Sequence, residues 1–238
     1  MLLRKRFFPY LFGLPHDHYF DERESSYYSV TKDARTRIFN VRPSRHWCFF
    51  AEIVEYVPWG VRPMFKAKDT NGVNFLVAFH FDDTRLFEKV LQKGLVGRTI
   101  CVMYGCFHAF MDGQIGVKLE EPKNVKILPL SIEALVMASK TFRGDHGNSE
   151  HCAHCRRPAT QRCSSCSTIL YCSKMCQVQA WEGHKKQCVA MSQMKEWNHF
   201  DWERYDVHRG FQSETTFFSQ AKSITKPRCR HCLNFCCG

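Results

Sequence analysis

Seven cysteines and three histidines fall within the 38 residues from His151 to Cys188, which read HCAHCRRPATQRCSSCSTILYCSKMCQVQAWEGHKKQC. Eight of these residues recur at short, regular spacings, C-x2-C-x7-C-x2-C-x5-C-x3-C-x7-H-x3-C. Cysteine pairs this close in sequence do not build an ordinary disulfide framework, whereas zinc ligands use these spacings. The pattern therefore predicts a small module that metal holds together, because so short a segment cannot bury a sufficient apolar core.

The number of ligands predicts the number of metal ions. A structural zinc site takes four nitrogen or sulfur ligands in a tetrahedron, so eight ligands predict two closed sites and two Zn²⁺ per chain. Spacing alone leaves two pairings open. Sequential pairing gives one ion to the first four ligands and the other ion to the last four. Interleaved pairing alternates the pairs, so that the two sites are Cys152, Cys155, Cys172 and Cys176, and Cys163, Cys166, His184 and Cys188.

The chain resembles a MYND zinc finger in its eight ligand positions and in the sequence pattern TxxYCSKxCQxxxWxxHKxxC from Thr168 to Cys188. The related HIT-type finger fits less well, because five residues separate Cys166 from Cys172. The MYND resemblance implies the interleaved, cross-braced pairing. It also implies an adaptor that docks partner proteins through short proline-containing peptides, for example in transcriptional regulation.

The cluster favours a structural role for zinc over a reactive one. A reactive zinc site keeps an open position for water and a carboxylate nearby, but here protein fills every position and Glu182 is the only acid within residues 152–188. SET-domain lysine methyltransferases, some of which carry MYND fingers, resemble one another in motifs that are missing here. Asn198-His199 is followed by Phe200-Asp201, and no Gly-Glu-Glu-Leu occurs. We therefore expect a non-catalytic protein and disfavour the methyltransferase alternative.

Residues 46–130 predict a small β-barrel in front of the finger. The stretches WCFFAEIVEY, VRPMFKAKD and VNFLVAFHF are rich in β-branched and aromatic residues, and Asn71-Gly72 marks a hairpin. A short helix, RLFEKVLQKG, precedes three further strand-like stretches, RTICVMYG, GQIGVKLE and NVKILPL. This order predicts an α+β chain with an OB-like barrel. Residues 77–83 and 108–135 also resemble the amino-terminal half of a group of fungal MYND proteins.

The remaining segments carry weaker signals. We expect an irregular arm over residues 1–45, a helix and linker over 131–150, and a helical, aromatic extension over 189–238 that ends in a disordered tail. That tail holds four cysteines that could bind a third metal, carry acyl chains or do neither, namely Cys229, Cys232, Cys236 and Cys237. No apolar run approaches the roughly 20 residues that span a bilayer. We expect an intracellular protein, with nucleus and cytoplasm both open.

Two binding surfaces can be proposed from sequence. On the finger, Gln177, Gln179 and Trp181 suit a short extended peptide, unless Trp181 covers the zinc-site core instead. On the barrel, aromatic side chains could stack on single-stranded nucleic acid, or fill the core, and these are Trp47, Phe49, Phe65, Phe75, Phe79 and Phe81.

Charge weighs against the nucleic-acid hypothesis. The formal charge is +11, but seven thiolates and two zinc ions together contribute −3 and leave about +8. Residues 47–130 carry ten Lys/Arg against nine acids. The barrel therefore lacks the basic surface that phosphate binding requires, and we disfavour nucleic acid as its partner.

Overall fold

The structure, a computed structural model, describes residues 4–17, 26–32, 35, 39–58, 60, 62–92, 94–143, 151–193, 197 and 200–211. A short 3₁₀ turn at Leu11–Gly13 comes first. The strands are β1 Tyr28–Lys32, β2 Phe39–Pro43, β3 Cys48–Val57, β4 Met64–Asp69, β5 Asn74–Phe79, β6 Thr99–Met103, β7 His108–Ala109, β8 Ile115–Leu119, β9 Val125–Leu128, β10 Gln161–Arg162 and β11 Leu170–Tyr171. The helices are α1 Arg85–Gln92, α2 Ile132–Arg143 and α3 Lys174–Gln193.

Seven strands form one sheet in the order β7-β8-β5-β4-β3-β6-β9. Strands β3, β4 and β5 form an antiparallel meander, helix α1 follows, β6 returns to pair with β3, and β8 runs parallel to β5. This connectivity is that of an OB-like barrel, as the sequence predicts. The barrel is partly open, because no ladder among the described residues joins β6 to β8.

The barrel core consists of the inward-facing side chains of these strands. All six aromatic residues considered for base stacking are buried in it, namely Trp47, Phe49, Phe65, Phe75, Phe79 and Phe81. Burying one such side chain stabilises the fold by about 1.5–3 kcal/mol. The aromatics therefore fill the barrel, and they do not form a stacking platform on its surface.

The parallel contact between β5 and β8 depends on a glycine. A Cβ atom at Gly116 would lie 2.0 Å from the carbonyl oxygen of Leu76 and 2.9 Å from the Phe110 ring. Only a residue without a side chain lets these two backbones approach and lets Phe110 cover them.

The N-terminal arm differs from the irregular segment expected from its sequence. Strands β1 and β2 pair antiparallel, from Tyr28 opposite Pro43 to Lys32 opposite Phe39. The backbone N–H of Leu11 donates to Asp69 Oδ2 at 2.9 Å, and Tyr27 donates to the carbonyl of Gly13. The hydrophobic pattern of the arm does not predict these strands, because the strand pair is largely exposed and the buried residues of the arm are scattered along the sequence.

A second apolar cluster lies on the outer side of the barrel and holds helix α3 in place. Phe7, Phe8 and Phe50 meet α2 residues and the aromatic residues of the C-terminal extension, with Trp197, Trp202 and Phe211 buried. Ala190 of α3 belongs to this cluster, whereas its neighbour Met191 is buried in the core of the finger. Helix α3 therefore connects the finger to the barrel.

A network of hydrogen bonds around His46 attaches the C-terminal extension to the barrel. His46 is buried, with 1% of its surface exposed. Its Nδ1 lies 2.6 Å from the Tyr104 hydroxyl, and its Nε2 lies 3.3 Å from Asp206 Oδ1. The Tyr104 oxygen accepts from the backbone N–H of Arg209, whose guanidinium pairs with Asp206. Tyr104 therefore donates to Nδ1 of a neutral imidazole, and Nε2–H donates to the carboxylate.

We expect the attachment of residues 200–211 to weaken as the pH falls below about 6.5. Burial lowers the pKa of His46, and this outweighs the opposing effect of Asp206. His46 in the released or unfolded form therefore binds a proton at a higher pH than His46 in the packed form. The packed form loses stability as the pH falls from the ordinary histidine pKa towards the lowered pKa of His46. The protection factors of the Tyr205 and Arg209 amides, which compare the observed hydrogen exchange with the intrinsic rate at each pH, should fall as the pH falls across this window.

A His46→Gln variant provides the control for this pH effect. It removes the titrating group but keeps the other charged and titratable groups around that position, which are Asp201, Tyr104, Tyr205, Asp206 and Arg209. The variant should have lower protection factors at neutral pH, and these should change little on acidification. An equal pH dependence in both proteins would show that another group controls the attachment.

Candidate metal centre

Two similar turns present the first four cysteines. Each turn is closed by a hydrogen bond, from the Arg156 amide to the Cys152 carbonyl at 2.9 Å and from the Ser167 amide to the Cys163 carbonyl at 2.7 Å. Arg156 and Ser167 have φ values of 63° and 56°, in the left-handed region that non-glycine residues rarely occupy. Metal binding offsets the cost of these conformations, because a closed C-x2-C turn places two sulfurs on one ion.

Helix α3 presents the remaining ligands together with the strand before it. Cys172 follows β11, and Cys176 lies in the first turn of α3, where the Ser173 hydroxyl accepts from the Cys176 amide at 3.3 Å. His184 and Cys188 follow further along the same helix. Their i, i+4 spacing puts both on one face, as the H-x3-C pattern predicts.

The ligand atoms collect into two groups, and the grouping is interleaved. One group contains Cys152, Cys155, Cys172 and Cys176, the other contains Cys163, Cys166, His184 and Cys188, and within each group the atoms lie within 4.8 Å of one another. The sequential alternative is therefore excluded. Each metal joins an N-terminal turn to a segment at least 17 residues further along the chain.

The spacing of the ligand atoms fits zinc. Sulfur–sulfur distances are 3.4 Å for Cys155–Cys172, 3.5 Å for Cys172–Cys176 and 3.7 Å for Cys163–Cys188. The Cys166 sulfur lies 3.6 Å from His184 Nε2. A tetrahedron with Zn–S bonds of about 2.3 Å has sulfur–sulfur edges of about 3.8 Å and slightly shorter sulfur–nitrogen edges. Two zinc ions fit this chain, one with four cysteines and one with three cysteines and a histidine.

The protonation of the first group shows why it requires a cation. Burial alone would raise the pKa of Cys152, but three backbone N–H groups, including that of Cys155, donate to its sulfur and lower the pKa to about 6. Hydrogen bonds with the sulfurs of Cys155 and Cys176 raise the pKa of Cys172 to about 12. Four thiolates at such distances repel one another, so only a bound dication allows all of them to ionise.

The predicted partner-binding residues do not share one surface. Trp181 packs against the ligand His184 with ring centroids 6.0 Å apart, yet it stays 40% exposed. Gln177 is one helical turn before it and lies on the same side of α3. Gln179 lies two residues before Trp181, and a turn of about 100° per residue puts its position about 160° away. The helix therefore brings Gln177 and Trp181 together and separates Gln179 from both.

Three lysines on the barrel strands form ion pairs with acids, Lys66 with Glu55 at 2.9 Å, Lys68 with Glu52 at 3.2 Å and Lys118 with Glu120 at 2.9 Å. A cavity of about 140 Å³ lies in the gap between β6 and β8. That volume is below the roughly 300–1,000 Å³ of ordinary ligand pockets.

Two predicted segments lie outside the described residues. They are the linker at 144–150 and the C-terminal tail with Cys229, Cys232, Cys236 and Cys237. Of the helices that the structure describes, none combines the length and the apolar character needed to cross a bilayer.

A family model described as "MYND finger" matches residues 152–188, the same span that contains the eight ligands.

Several curated proteins are similar over short stretches. Ubiquitin carboxyl-terminal hydrolase 17 of Arabidopsis thaliana is 26% identical over 112 residues, which are 42% of this chain and 15% of that protein. Ubiquitin C-terminal hydrolase 15 of Oryza sativa subsp. japonica is 44% identical over 50 residues, 21% of this chain and 4% of that one. A zinc finger MYND domain-containing protein 10 homologue of Drosophila melanogaster is 38% identical over 47 residues, 19% and 10% of the two chains. The chain thus spans a small fraction of these relatives.

Two solved structures share a general similarity with this chain. The S. pombe Stn1–Ten1 complex has a TM-score of 0.28 and 15% identity, covering 37% of this chain and 61% of that one. Schizosaccharomyces pombe Pot1pC bound to single-stranded DNA has a TM-score of 0.26 and 9% identity, covering 41% and 84%. Scores this low support no argument, so the OB-like assignment rests on the strand order described above.

Proposed function

We propose that this chain, which carries a MYND finger in residues 152–188, is a non-catalytic adaptor that binds partner proteins through the exposed face of α3. Its ligands are short, extended, proline-containing peptides. Zinc maintains the binding face and takes no part in a reaction, because all eight ligand positions are protein atoms and both sites are closed. The hydrolase activity in the names of the plant relatives belongs to proteins of which this chain spans at most 15%.

The position of Trp181 is the observation that carries this proposal. Its indole contacts His184, a ligand of the second zinc site, and 40% of its surface remains exposed. Val178, which is 65% exposed, lies beside it on the helix. Because the metal site already holds this apolar surface rigid, its side chains lose little conformational entropy when a peptide binds. This favours affinity for a short peptide.

The neighbouring Gln177 gives this surface a polar group. Its side chain is half-buried one turn before Trp181, so its amide can exchange hydrogen bonds with the backbone of an extended ligand. Proline-rich peptides suit such a surface because their extended conformation is already formed before binding.

Replacing Trp181 by alanine should weaken binding of a proline-containing peptide by roughly 30-fold or more, which corresponds to about 2 kcal/mol. Gln177→Ala should weaken the same binding by a smaller factor, because it removes hydrogen bonds and little apolar contact area. Isothermal titration of the full chain with the peptide measures both effects, with zinc content determined on each sample.

Gln179→Ala is the matched control for these variants. It removes a glutamine from the same helix, about 160° away from Trp181, and should leave the peptide affinity unchanged. If Trp181→Ala retains two zinc ions and binds the peptide as tightly as the native chain, the proposed binding face is wrong.

A further inference from the structure

The exposed face of α3 also has a charge pattern, in addition to the features discussed above. Lys174, Val178, Trp181 and Lys185 follow one another at i, i+4, i+7 and i+11. At about 100° per residue, all four lie within an arc of about 60°. The stripe therefore has an apolar centre and one lysine at each end.

All four side chains of this stripe are exposed, and the two lysines have no partner within it. In the described part of the chain, neither Lys174 nor Lys185 forms a salt bridge. Glu182, the single acid of the finger, lies at the edge of the stripe and leaves its net charge positive. The four-thiolate centre, in which Cys152 is buried and Cys155 is exposed, offsets part of the charge of Lys174, whereas Lys185 lies at the far end of the stripe.

We infer that the peptide bound by this face carries an acidic residue on each side of its apolar, proline-containing centre. This inference rests on the proposed function, since it assigns the charge of the ligand for the same surface. Val178 and Trp181 contact the centre of the peptide, and Lys174 and Lys185 attract its two carboxylates. The N-terminal end of α3, where Lys174 lies, adds a favourable field for one of them.

The helix sets the spacing of the two acids. Lys174 and Lys185 are eleven residues apart, so their backbone positions are separated by about 16 Å along α3. An extended peptide advances about 3.3 Å per residue, so the two carboxylates should be about five residues apart. Two exposed ion pairs together should favour such a peptide by roughly five- to tenfold over a neutral one.

The test uses the full zinc-loaded chain and two synthetic peptides with the same centre of two prolines and a leucine. One peptide has a glutamate on each side, about five residues apart, and the other has glutamine at those positions. Titration at low and at high ionic strength should show a five- to tenfold preference for the acidic peptide that shrinks as salt screens the charges. A Lys174→Gln/Lys185→Gln double variant should bind the neutral peptide normally and lose the preference.

The outcomes separate this inference from the function on which it rests. Equal affinity of the native chain for the two peptides, with both lost in Trp181→Ala, would overturn the acidic preference and keep the binding face. A preference that survives in the double variant would show that other cations recognise the acids and would also overturn the assignment. Failure of both peptides to bind the native chain, or undiminished binding of both by Trp181→Ala, would overturn the proposed function itself.

Discussion

A Cys172→Ser variant should lose both zinc ions and the folded finger together. Cys172 shares its metal with Cys152 and Cys155, and the second metal takes Cys163 and ligands of α3. Since the same helix supplies both centres, loss of the first ion releases the N-terminal turn and the start of α3, and the second ion loses its fixed geometry. Structural zinc supplies about 10–16 kcal/mol of binding free energy in small fingers, which exceeds what a module of this size can supply otherwise.

The measurement is zinc content per chain, combined with the amide spectrum of residues 151–193. A Cys106→Ser variant is the control, because this cysteine is a partly buried barrel residue that donates to the Tyr104 carbonyl and belongs to neither group of zinc ligands. It should retain two zinc ions and native finger resonances. A Cys172→Ser chain that keeps one tightly bound zinc and a folded second site would show that the two centres are independent.

Trp47→Ala should destabilise the barrel by about 3–5 kcal/mol, the usual cost of removing a buried tryptophan. The side chain is fully buried, and its Nε1 donates to the Gly105 carbonyl at 2.9 Å. Its ring contacts Tyr27 of the arm at 4.9 Å and Tyr104 at 5.1 Å between centroids. The substitution therefore opens a cavity and leaves a buried carbonyl unpaired at the junction of arm, barrel and extension.

Urea denaturation, followed by circular dichroism on zinc-loaded protein, measures this loss. Trp181→Ala removes an equally large side chain from an exposed position and should cost much less, so the pair separates burial from residue type. A Trp47→Ala protein with native stability would contradict the placement of this residue at the centre of the barrel.

The zinc ligands were predictable because their spacing is local. A C-x2-C turn and an H-x3-C helical face each depend on a few neighbouring residues, and the sequence shows these directly. Which ligand pairs share a metal ion, however, depends on the tertiary fold. Spacing allows both the sequential and the interleaved arrangement, and only the resemblance to MYND fingers favoured the one that the structure contains.

The barrel strands were predictable for a similar reason. Their β-branched and aromatic residues concentrate in short runs between turns, and the Asn71-Gly72 turn, with Gly72 at φ 79°, connects β4 to β5 as expected. The strand pair of the arm was missed because its residues are mostly exposed and leave no alternating pattern. A strand leaves a recognisable pattern in a sequence only when at least one of its faces is buried.

The contacts of the extension were beyond any local rule. His46 meets Asp206, which is 160 residues further along the chain, and the Tyr104 hydroxyl accepts from an amide 105 residues away. Gln179 is the opposite case. It lies close to Trp181 in sequence, but the helix places it on the other side of α3. Proximity along the chain alone does not decide which side chains share a surface.

The proposed binding surface depends on two closed metal sites with interleaved ligands. Substitution with NMR-active cadmium, followed by correlation of each metal resonance to the cysteine β-protons, tests it directly. The structure requires two resonances of equal intensity, one coupled to Cys152, Cys155, Cys172 and Cys176 and the other to Cys163, Cys166 and Cys188. A single resonance, a metal-bound water, or coupling of one ion to all of the first four cysteines would contradict this account.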